Sequence, residues 1–406
     1  MTQRLLMSWT TVGSEERLGF ISSYLSCATG KDASVEEVKK LADMAEKYSL
    51  ASHLKKAKVL GKSVVRLQCV SKQWLSIISC PKFRRLHSRR SAAVVTGLFF
   101  PPPTHSLLPA GPHFVALRNQ KPQHNTIANR LIELCGGRFV VSLSSCNGLL
   151  CIGLSDENAL FRECDIYYVY NPSTNQRRRI PQVESESKYV SNVAIAFDAS
   201  KSNHYKLVCV CGHFRVWVFS SESRVWRNTG KRRLPGGCLN VYSFPSPYLN
   251  GAIHWYVFKN EFLCLDIDSC ELRPMPCISC VNNDPGWCKY LGECGGHLHF
   301  IGQRGRAGQL LNVFEMKNDY SQWVFKYQVD VGYVARFYPI DMDEFSMRLK
   351  FSINLLLTGH EEGEGLVISL PNGKVIFWRL HDMSITQLVE SCNEIQHHMS
   401  RSVLAS

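Results

Sequence analysis

One pattern recurs along most of the chain: an apolar strand ends in a polar turn and is followed by a strand that often carries an aromatic or basic residue. The clearest copy is IYYVYNPSTNQRRRIP at residues 166–181, and further copies lie at 216–230, 262–276, 312–327 and 375–389. The turns begin at Asn171, Ser220, Asp266, Met316 and Leu380, at steps of 49, 46, 50 and 64 residues. A long period built from short strands is typical of β-propeller blades.

A Gly-centred hairpin precedes most of these copies, at Cys146–Ile152, Leu249–Val257, Cys294–Ile301 and Gly363–Leu370. Each strand pair is too small to bury its own apolar face, so neighbouring copies must stack. The alternative is a β-sandwich, whose strands recur without a superimposed long period. The pattern favours a mainly β fold, a propeller over residues 93–390. Five copies are visible, residues 93–145 are left for a sixth blade, and the blade number stays open.

The residues before the propeller have a different texture. Residues 1–33 lack a sustained period and are interpreted as a poorly ordered N-terminus, whereas residues 34–91 have a helical pattern that begins with the capping-box pair Ser34 and Glu37. A second helix is expected within 62–91, because apolar side chains share one helical stripe. After Pro101 the chain is loop-rich to about Asn129, and residues 391–406 are interpreted as a C-terminal tail.

The formal net charge of +13 is concentrated in one part of the chain. Residues 1–91 hold 17 Lys and Arg against 7 Asp and Glu, and the rest of the chain carries a balance of only +3. The basic residues Lys82, Arg84, Arg85, Arg89 and Arg90 have only Phe83 among them as a stacking aromatic. They are interpreted as a solvated face between domains, and a nucleic-acid partner is disfavoured.

The 17 cysteines are scattered and odd in number, which does not favour a disulfide framework. Arg4, Glu15, Glu16 and Arg17 interrupt the apolar residues near Met1, and no apolar stretch approaches about 18 residues. The sequence therefore predicts a protein of the cytoplasm and/or nucleus with no membrane association, in which most cysteines are small buried hydrophobes.

One candidate metal site comprises Cys277, Cys280, Cys288 and Cys294, with His297 and His299 downstream. The gaps between the later cysteines are irregular for a zinc hairpin, and both histidines fit one face of a propeller strand. No metal and no cofactor is expected.

Catalysis finds little support, since no nucleophile elbow, P-loop, zinc-protease motif or dinucleotide fingerprint occurs. The expectation is a non-enzymatic protein. A propeller can still gather catalytic side chains from several blades, so an enzyme stays as a lesser alternative.

The stretch KSVVRLQCVSKQWLSIISCPKFRRLHSRRS at 62–91 resembles the second half of an F-box, with a Cys-Val-x-Lys-x-Trp core, a loop with Pro and Phe, and a basic tail. The segments SSCNGLLCI, YNPSTNQ, IAFDASKSNHYKLVCV, WRNTG and NGAIHWYV resemble the kelch-like propeller associated with plant F-box proteins. Before Lys62 the chain departs from the family, because Leu60 stands where Pro is expected and Lys55, Lys56 and Lys58 replace an acidic-apolar pattern.

The resemblance implies a substrate receptor that binds a Skp-type adaptor and a cullin scaffold, so that other subunits transfer ubiquitin to a target protein. An interaction protein that has lost adaptor binding is the alternative. The implied adaptor-binding residues are Leu67, Val70, Trp74, Ile77, Pro81 and Phe83.

Specificity in a propeller is expected on the loops, which vary freely while the strands repeat. The candidates for target binding come from one loop and from the long insert before the fifth turn: Arg304, Arg306, Tyr333, Arg336, Phe337 and Tyr338.

Overall fold

A computed structural model of the chain describes Cys80 and the ranges 97–100, 112–116, 123–156, 164–172, 174–184, 190–211, 215–229, 246–257, 261–278, 286–305, 308–341, 349–357, 364–389 and 403–405. The chain divides into two units, Met1–Ala93 with Asp198–Asn203, and Val94–Phe197 with His204–Ser406. The propeller belongs to the second unit.

The first elements of that unit are two short strands and a helix: β1 Gly97–Phe100, β2 His113–Ala116 and α1 Gln123–Cys135. Leu131, Leu134 and Cys135 of α1 are buried together with residues of the first blade. The expectation of a loop-rich stretch to about Asn129 was therefore wrong from Gln123 onward. The apolar positions of this helix follow helical spacing, which a first turn of polar residues obscures.

Five four-stranded antiparallel sheets follow in chain order, and each is built from four consecutive strands. The first blade comprises β3 Phe139–Cys146, β4 Leu149–Ser155, β5 Ile166–Asn171 and β6 Gln176–Ile180. The second comprises β7 Val190–Ala196, β8 Lys206–Cys211, β9 Arg215–Ser220 and β10 Val225–Asn228. The third comprises β11 Tyr248–Leu249, β12 Ala252–Tyr256, β13 Phe262–Asp266 and β14 Leu272–Met275.

The fourth blade has the longest strands, and a short helix joins it to the fifth. These elements are β15 Trp287–Cys294, β16 His297–Arg304, β17 Leu310–Met316, β18 Trp323–Asp330 and α2 Gly332–Ala335; then β19 Ser352–Leu357, β20 Gly365–Ser369, β21 Val375–Arg379 and β22 Ile385–Val389. The fold is a mainly β propeller, as the sequence period predicts. It has five four-stranded blades, and the described part of residues 93–145 does not form a sixth.

A smaller sheet joins the two ends of the propeller unit. The strand β23, Val403–Ala405, pairs antiparallel with β1, which pairs on its other side with β2. Leu98, Phe100 and Val115 of this sheet pack against the fifth blade, and Phe99 packs against the first. Residues 97–116 thus supply two strands beside the five blades, and β23 lies in the range that was assigned to a tail. A three-residue strand is too short to show a period in sequence.

The core consists of the apolar faces that neighbouring blades turn toward each other. Val208, Val210 and Val218 of the second blade pack against Ile253 and Leu265 of the third. The first strands of adjacent blades also touch, β3 against β7 and β15 against β19. Each blade buries its apolar faces against the neighbouring blades rather than within its own sheet. A strand pattern that repeats at this period therefore folds as one stack of blades.

Tryptophans on two of the outermost strands bind the preceding blade through hydrogen bonds. Trp226 of β10 donates its indole N–H to the Pro181 carbonyl at 2.7 Å, and Trp323 of β18 donates to the Pro276 carbonyl at 3.0 Å. Each proline directly follows the last strand of the blade before, Ile180 in β6 and Met275 in β14. The indole N–H therefore fixes a blade junction in addition to the apolar contacts of the ring.

Turn chemistry explains why the copies are legible in the sequence. In three blades the hairpin between the first two strands has two successive residues at positive φ: Asn147 and Gly148, Asn250 and Gly251, Gly295 and Gly296. This is the geometry of a tight type I′ turn, which Asn-Gly and Gly-Gly tolerate. Between the third and fourth strands each blade has one further residue at positive φ: Asn175, Arg224, Cys270, Tyr320 and Met383.

Candidate functional site

The loop candidates from the sequence come together at one edge of the fourth blade. In an antiparallel sheet the ends of β16 and β18 lie at the same edge, and the Val331 N–H donates to the Gln309 carbonyl at 2.8 Å, joining the two connections. Arg304 ends β16, and Tyr333, Arg336, Phe337 and Tyr338 lie in or after α2. Arg306 lies outside the described residues.

Buried residues anchor this edge to the propeller. Val331 and Val334 are fully buried in the core between the fourth and fifth blades. The buried side chain of Gln303 donates to the Gly308 carbonyl at 2.7 Å and to the Leu349 carbonyl at 3.2 Å, so it connects the loop after β16 to the segment before β19. The exposed side chains therefore stand on a fixed base, which lowers the entropy cost of binding.

The aromatic side chains of the insert have different roles. Phe337 is 61% exposed. Tyr333 is half-buried, lies parallel to the buried ring of Trp378 with centroids 6.0 Å apart, and contacts Phe337 at 5.2 Å. Tyr338 is half-buried, and Lys374 lies 5.7 Å from its ring centroid. Phe337 is therefore the exposed ring of the group, and Tyr333 packs against it.

A second exposed aromatic, Trp287, was missed by the sequence analysis. It opens β15, pairs with Gln303 in the sheet register next to Arg304, and is 58% exposed. The preceding Gly286 has φ +91, and a Cβ there would lie 2.6 Å from the Gln303 carbonyl oxygen and 2.7 Å from Cγ of Arg304, so a glycine is needed beside this strand end. The signal was a Trp directly after a Gly at the start of a strand, in a stretch that was weighed only for metal ligands.

We name this edge the blade-four loop surface: Trp287, Arg304, Tyr333, Arg336, Phe337 and Tyr338. It offers two exposed aromatic rings with Arg336 exposed and Arg304 half-exposed. Aromatic residues and arginine are the side chains most enriched at the energetic centres of protein interfaces. The surface is thus chemically suited to hold a protein segment.

The cysteine and histidine residues weighed as metal ligands lie mostly in strands. His297 and His299 share one face of β16, as predicted, and both approach the Glu315 carboxylate, at 3.7 and 3.4 Å. Burial lowers the pKa of His299. Cys277 is exposed, Cys294 is buried, and Cys280 is outside the described residues. Across the described ranges, no group of three or more His, Cys, Asp or Glu is arranged to hold a metal ion.

Half of the twelve described cysteines are buried in the core, where the sequence predicts most of them. Cys135, Cys151, Cys164, Cys209, Cys211 and Cys294 are buried, and none of the described cysteines forms a disulfide. Burial raises the pKa of Cys135 and of Cys164 to about 12. These two thiols stay protonated at neutral pH and are poor nucleophiles.

The adaptor-binding candidates Leu67, Val70, Trp74, Ile77, Pro81 and Phe83 lie outside the described residues, as do residues 1–33. No helix in the described part of the chain has the length and apolarity needed to cross a membrane.

Five stacked four-stranded sheets with a rigid loop surface define a β-propeller repeat protein. Residues 119–284, which span the first three blades, match the F-box associated beta propeller domain. The F-box protein At5g07610 of Arabidopsis thaliana is 26% identical over 340 residues, covering 77% of this chain and 79% of its own. These matches and the five-bladed fold support a plant F-box protein with a propeller domain.

Other relatives match shorter parts. The putative F-box protein At1g32420 of A. thaliana is 32% identical over 162 residues, 37% of this chain and 46% of its own. The A. thaliana F-box/kelch-repeat protein At3g23880 is 21% identical over 268 residues, 59% of this chain and 67% of its own. Among solved structures, YCF48 from Cyanidioschyzon merolae aligns with 73% of this chain and 86% of its own, at a TM-score of 0.38 and 9% identity.

Proposed function

We propose that this chain is the substrate-recognition subunit of a Skp-cullin-F-box type ubiquitin ligase and holds its target protein on the blade-four loop surface. The observation that carries the proposal is the pairing of exposed Trp287 and Phe337 with Arg304 and Arg336 on a buried, hydrogen-bonded base. The similarity to F-box proteins with this propeller domain supports the receptor role. The chain itself would be non-catalytic, because the ubiquitin would be transferred by other subunits.

Adaptor binding is the first requirement of this role, and we propose that the 62–91 segment supplies it. Trp74 lies on the apolar stripe that the resemblance aligns with the adaptor-binding helix. We expect the full chain to capture a purified Skp-type adaptor in a pull-down, and Trp74→Ala to weaken capture about tenfold or more, as loss of an aromatic anchor does at protein interfaces.

The departure before Lys62 gives this test a second arm. A chimera in which residues 48–61 are replaced by an acidic-apolar helix and a Leu-Pro turn measures what that departure costs. Capture by the natural chain supports the receptor role. Capture by the chimera alone would contradict it and identify an interaction protein that has lost adaptor binding.

Target binding is tested by comparing two exposed phenylalanines. Phe337→Ala should weaken association with target proteins about tenfold to thirtyfold, because a truncated aromatic anchor costs on the order of 2 kcal/mol. Phe325, which is 53% exposed on β18 away from this surface, provides the matched control as Phe325→Ala. Quantitative cross-linking and mass spectrometry in plant extract would report proteins lost by the first variant and kept by the second.

The comparison is decisive because both variants remove the same ring from an exposed site. Equal retention of every associated protein by Phe337→Ala and Phe325→Ala would show that the blade-four loop surface does not hold the target.

We further propose that the protein works in a reducing compartment, the cytoplasm and/or nucleus, where the buried thiols stay free.

A further inference from the structure

Three consecutive arginines form the outer edge of the first blade. Arg177, Arg178 and Arg179 lie on β6, the last strand of its sheet, and all three are exposed. Successive strand side chains point to opposite faces. Arg178 pairs with Val169, which packs against the second blade, so Arg178 points toward the second blade while its two neighbours point the other way.

The second blade brings another arginine to the same place. Arg224 occupies the turn between β9 and β10 at φ 60 and is exposed. Tyr205 lies between the two arginines: its side chain packs against the cluster that contains Val169, the strand partner of Arg178, and its backbone N–H donates to the Ser221 hydroxyl, in the turn that holds Arg224, at 2.9 Å. Burial raises the pKa of Tyr205, and the two nearby cations oppose that shift. The Tyr205 hydroxyl oxygen is buried, and Arg178 lies beside it. Two guanidiniums and a polar hydroxyl therefore converge from two blades.

Within the described ranges, no carboxylate oxygen lies within 4 Å of a charged nitrogen of Arg177, Arg178, Arg179 or Arg224, a set that we call the arginine edge. Three cations elsewhere in the propeller do have such partners. Arg273 contacts Glu271 at 2.8 Å, Lys206 contacts Asp268 at 2.8 Å, and Lys326 contacts Glu315 at 3.1 Å. The positive charges of the arginine edge repel each other, and an acidic partner would relieve that repulsion.

We propose that the arginine edge binds an acidic peptide segment of a partner protein, with a carboxylate held between the exposed guanidiniums of Arg178 and Arg224. Arginine recognises carboxylates through paired, charge-assisted hydrogen bonds. The site is separate from the blade-four loop surface and does not depend on it.

Two other occupants fit less well. Nucleic acid needs an aromatic ring on which a base can stack, but Trp226 is already packed against Phe219 at 5.3 Å and Tyr167 at 6.3 Å, and its N–H is bound to Pro181. A second copy of this chain that used the same edge would place arginines against arginines. Charge complementarity thus selects an acidic peptide.

The test uses the full chain and a fluorescein-labelled hexaglutamate peptide in a fluorescence anisotropy titration. The variant Arg178→Gln with Arg224→Gln should weaken binding about a hundredfold, since each charge-assisted contact is worth about tenfold. Binding by the natural chain should also weaken as salt is raised, because surface charges are screened. Arg273→Gln on β14 is the matched control and should bind as the natural chain does, because Glu271 already neutralises that arginine.

All the substituted arginines are exposed, so the variants should unfold at the same temperature as the natural chain. Equal affinity of the double variant and the natural chain for hexaglutamate would overturn the proposal, and so would absence of binding by the natural chain. Tighter binding of a six-nucleotide RNA than of the peptide would assign the edge to nucleic acid and also overturn it.

Discussion

Replacing Trp323 by alanine should lower the free energy of unfolding by about 3–5 kcal/mol, the range found when a large buried aromatic is truncated. Trp323 is buried at the junction of the third and fourth blades, where its ring lies 4.8 Å from Phe262 and 6.1 Å from Phe300. The substitution also leaves the Pro276 carbonyl without the indole donor. The cost is large because a cavity and an unpaired acceptor arise at one junction.

Urea unfolding of the full chain, followed by circular dichroism, measures this loss. Trp287→Ala is the control, since it removes the same side chain from a site that is 58% exposed, and we expect a change of about 0.5 kcal/mol or less. Similar losses for the two variants would show that Trp323 does not fix a blade junction.

Trp287→Ala serves a second purpose, because it should impair target binding while leaving stability unchanged.

The architecture could be predicted because each blade repeats the same local turn chemistry. The turn anchors Asn171, Ser220, Asp266 and Met316 are the final residues of β5, β9, β13 and β17. The side chains of Asn171, Ser220 and Asp266 accept hydrogen bonds from their own turns, as where Asp266 accepts from the Ser269 backbone and hydroxyl. A short polar side chain that organises its own turn leaves a mark in the sequence at these three copies.

The closure of the propeller could not be predicted in the same way. The sheet of β1, β2 and β23 unites residues about 300 positions apart, and the pairing of Leu98 with Leu404 has no local signal. Hydrogen bonds between blades, such as the one from Trp226 to Pro181, likewise depend on the three-dimensional stack. Local patterns therefore predict the strands of each blade, whereas the way in which the blades join depends on long-range contacts.

The candidate site was predicted in part for a similar reason. The insert with Phe337 was visible as a departure from the repeat length, and the Arg304 loop was found as a variable connection. Their meeting at the end of the fourth blade follows from strand direction, which the repeat pattern implies. The exposure of Trp287 does not follow from the repeat pattern, because an aromatic at the start of a strand is equally typical of a core position.

Acid should destabilise the propeller through His254, with a loss of about 3 kcal/mol between pH 7 and pH 4. His254 on β12 is completely buried. The Pro247 carbonyl, 3.2 Å away, can only accept, so Nδ1 carries the proton and Nε2 accepts a hydrogen bond from the Tyr320 hydroxyl at 3.0 Å. Burial lowers the pKa of His254 from 6.5 to about 4, which the hydrogen bond to Pro247 opposes.

The sign follows from where the proton binds. The unfolded chain takes up a proton on His254 as the pH falls through 6.5, but the folded chain resists it until about pH 4. Stability from this group is therefore complete above pH 6.5 and is lost progressively between pH 6.5 and pH 4. Protonation would place a second hydrogen on Nε2, facing Tyr320, and would disrupt a contact between the third and fourth blades.

His254→Gln separates this effect from the titration of carboxylates, which both chains share. Urea unfolding of the natural chain and the variant at pH 7.5, 6, 5 and 4 gives the dependence of stability on pH for each. The variant is expected to be less stable at pH 7.5 but to lose about 3 kcal/mol less on acidification, so the two curves converge toward pH 4. Parallel curves over this range would mean that folding does not change the pKa of His254, and that the acid sensitivity of the propeller arises elsewhere.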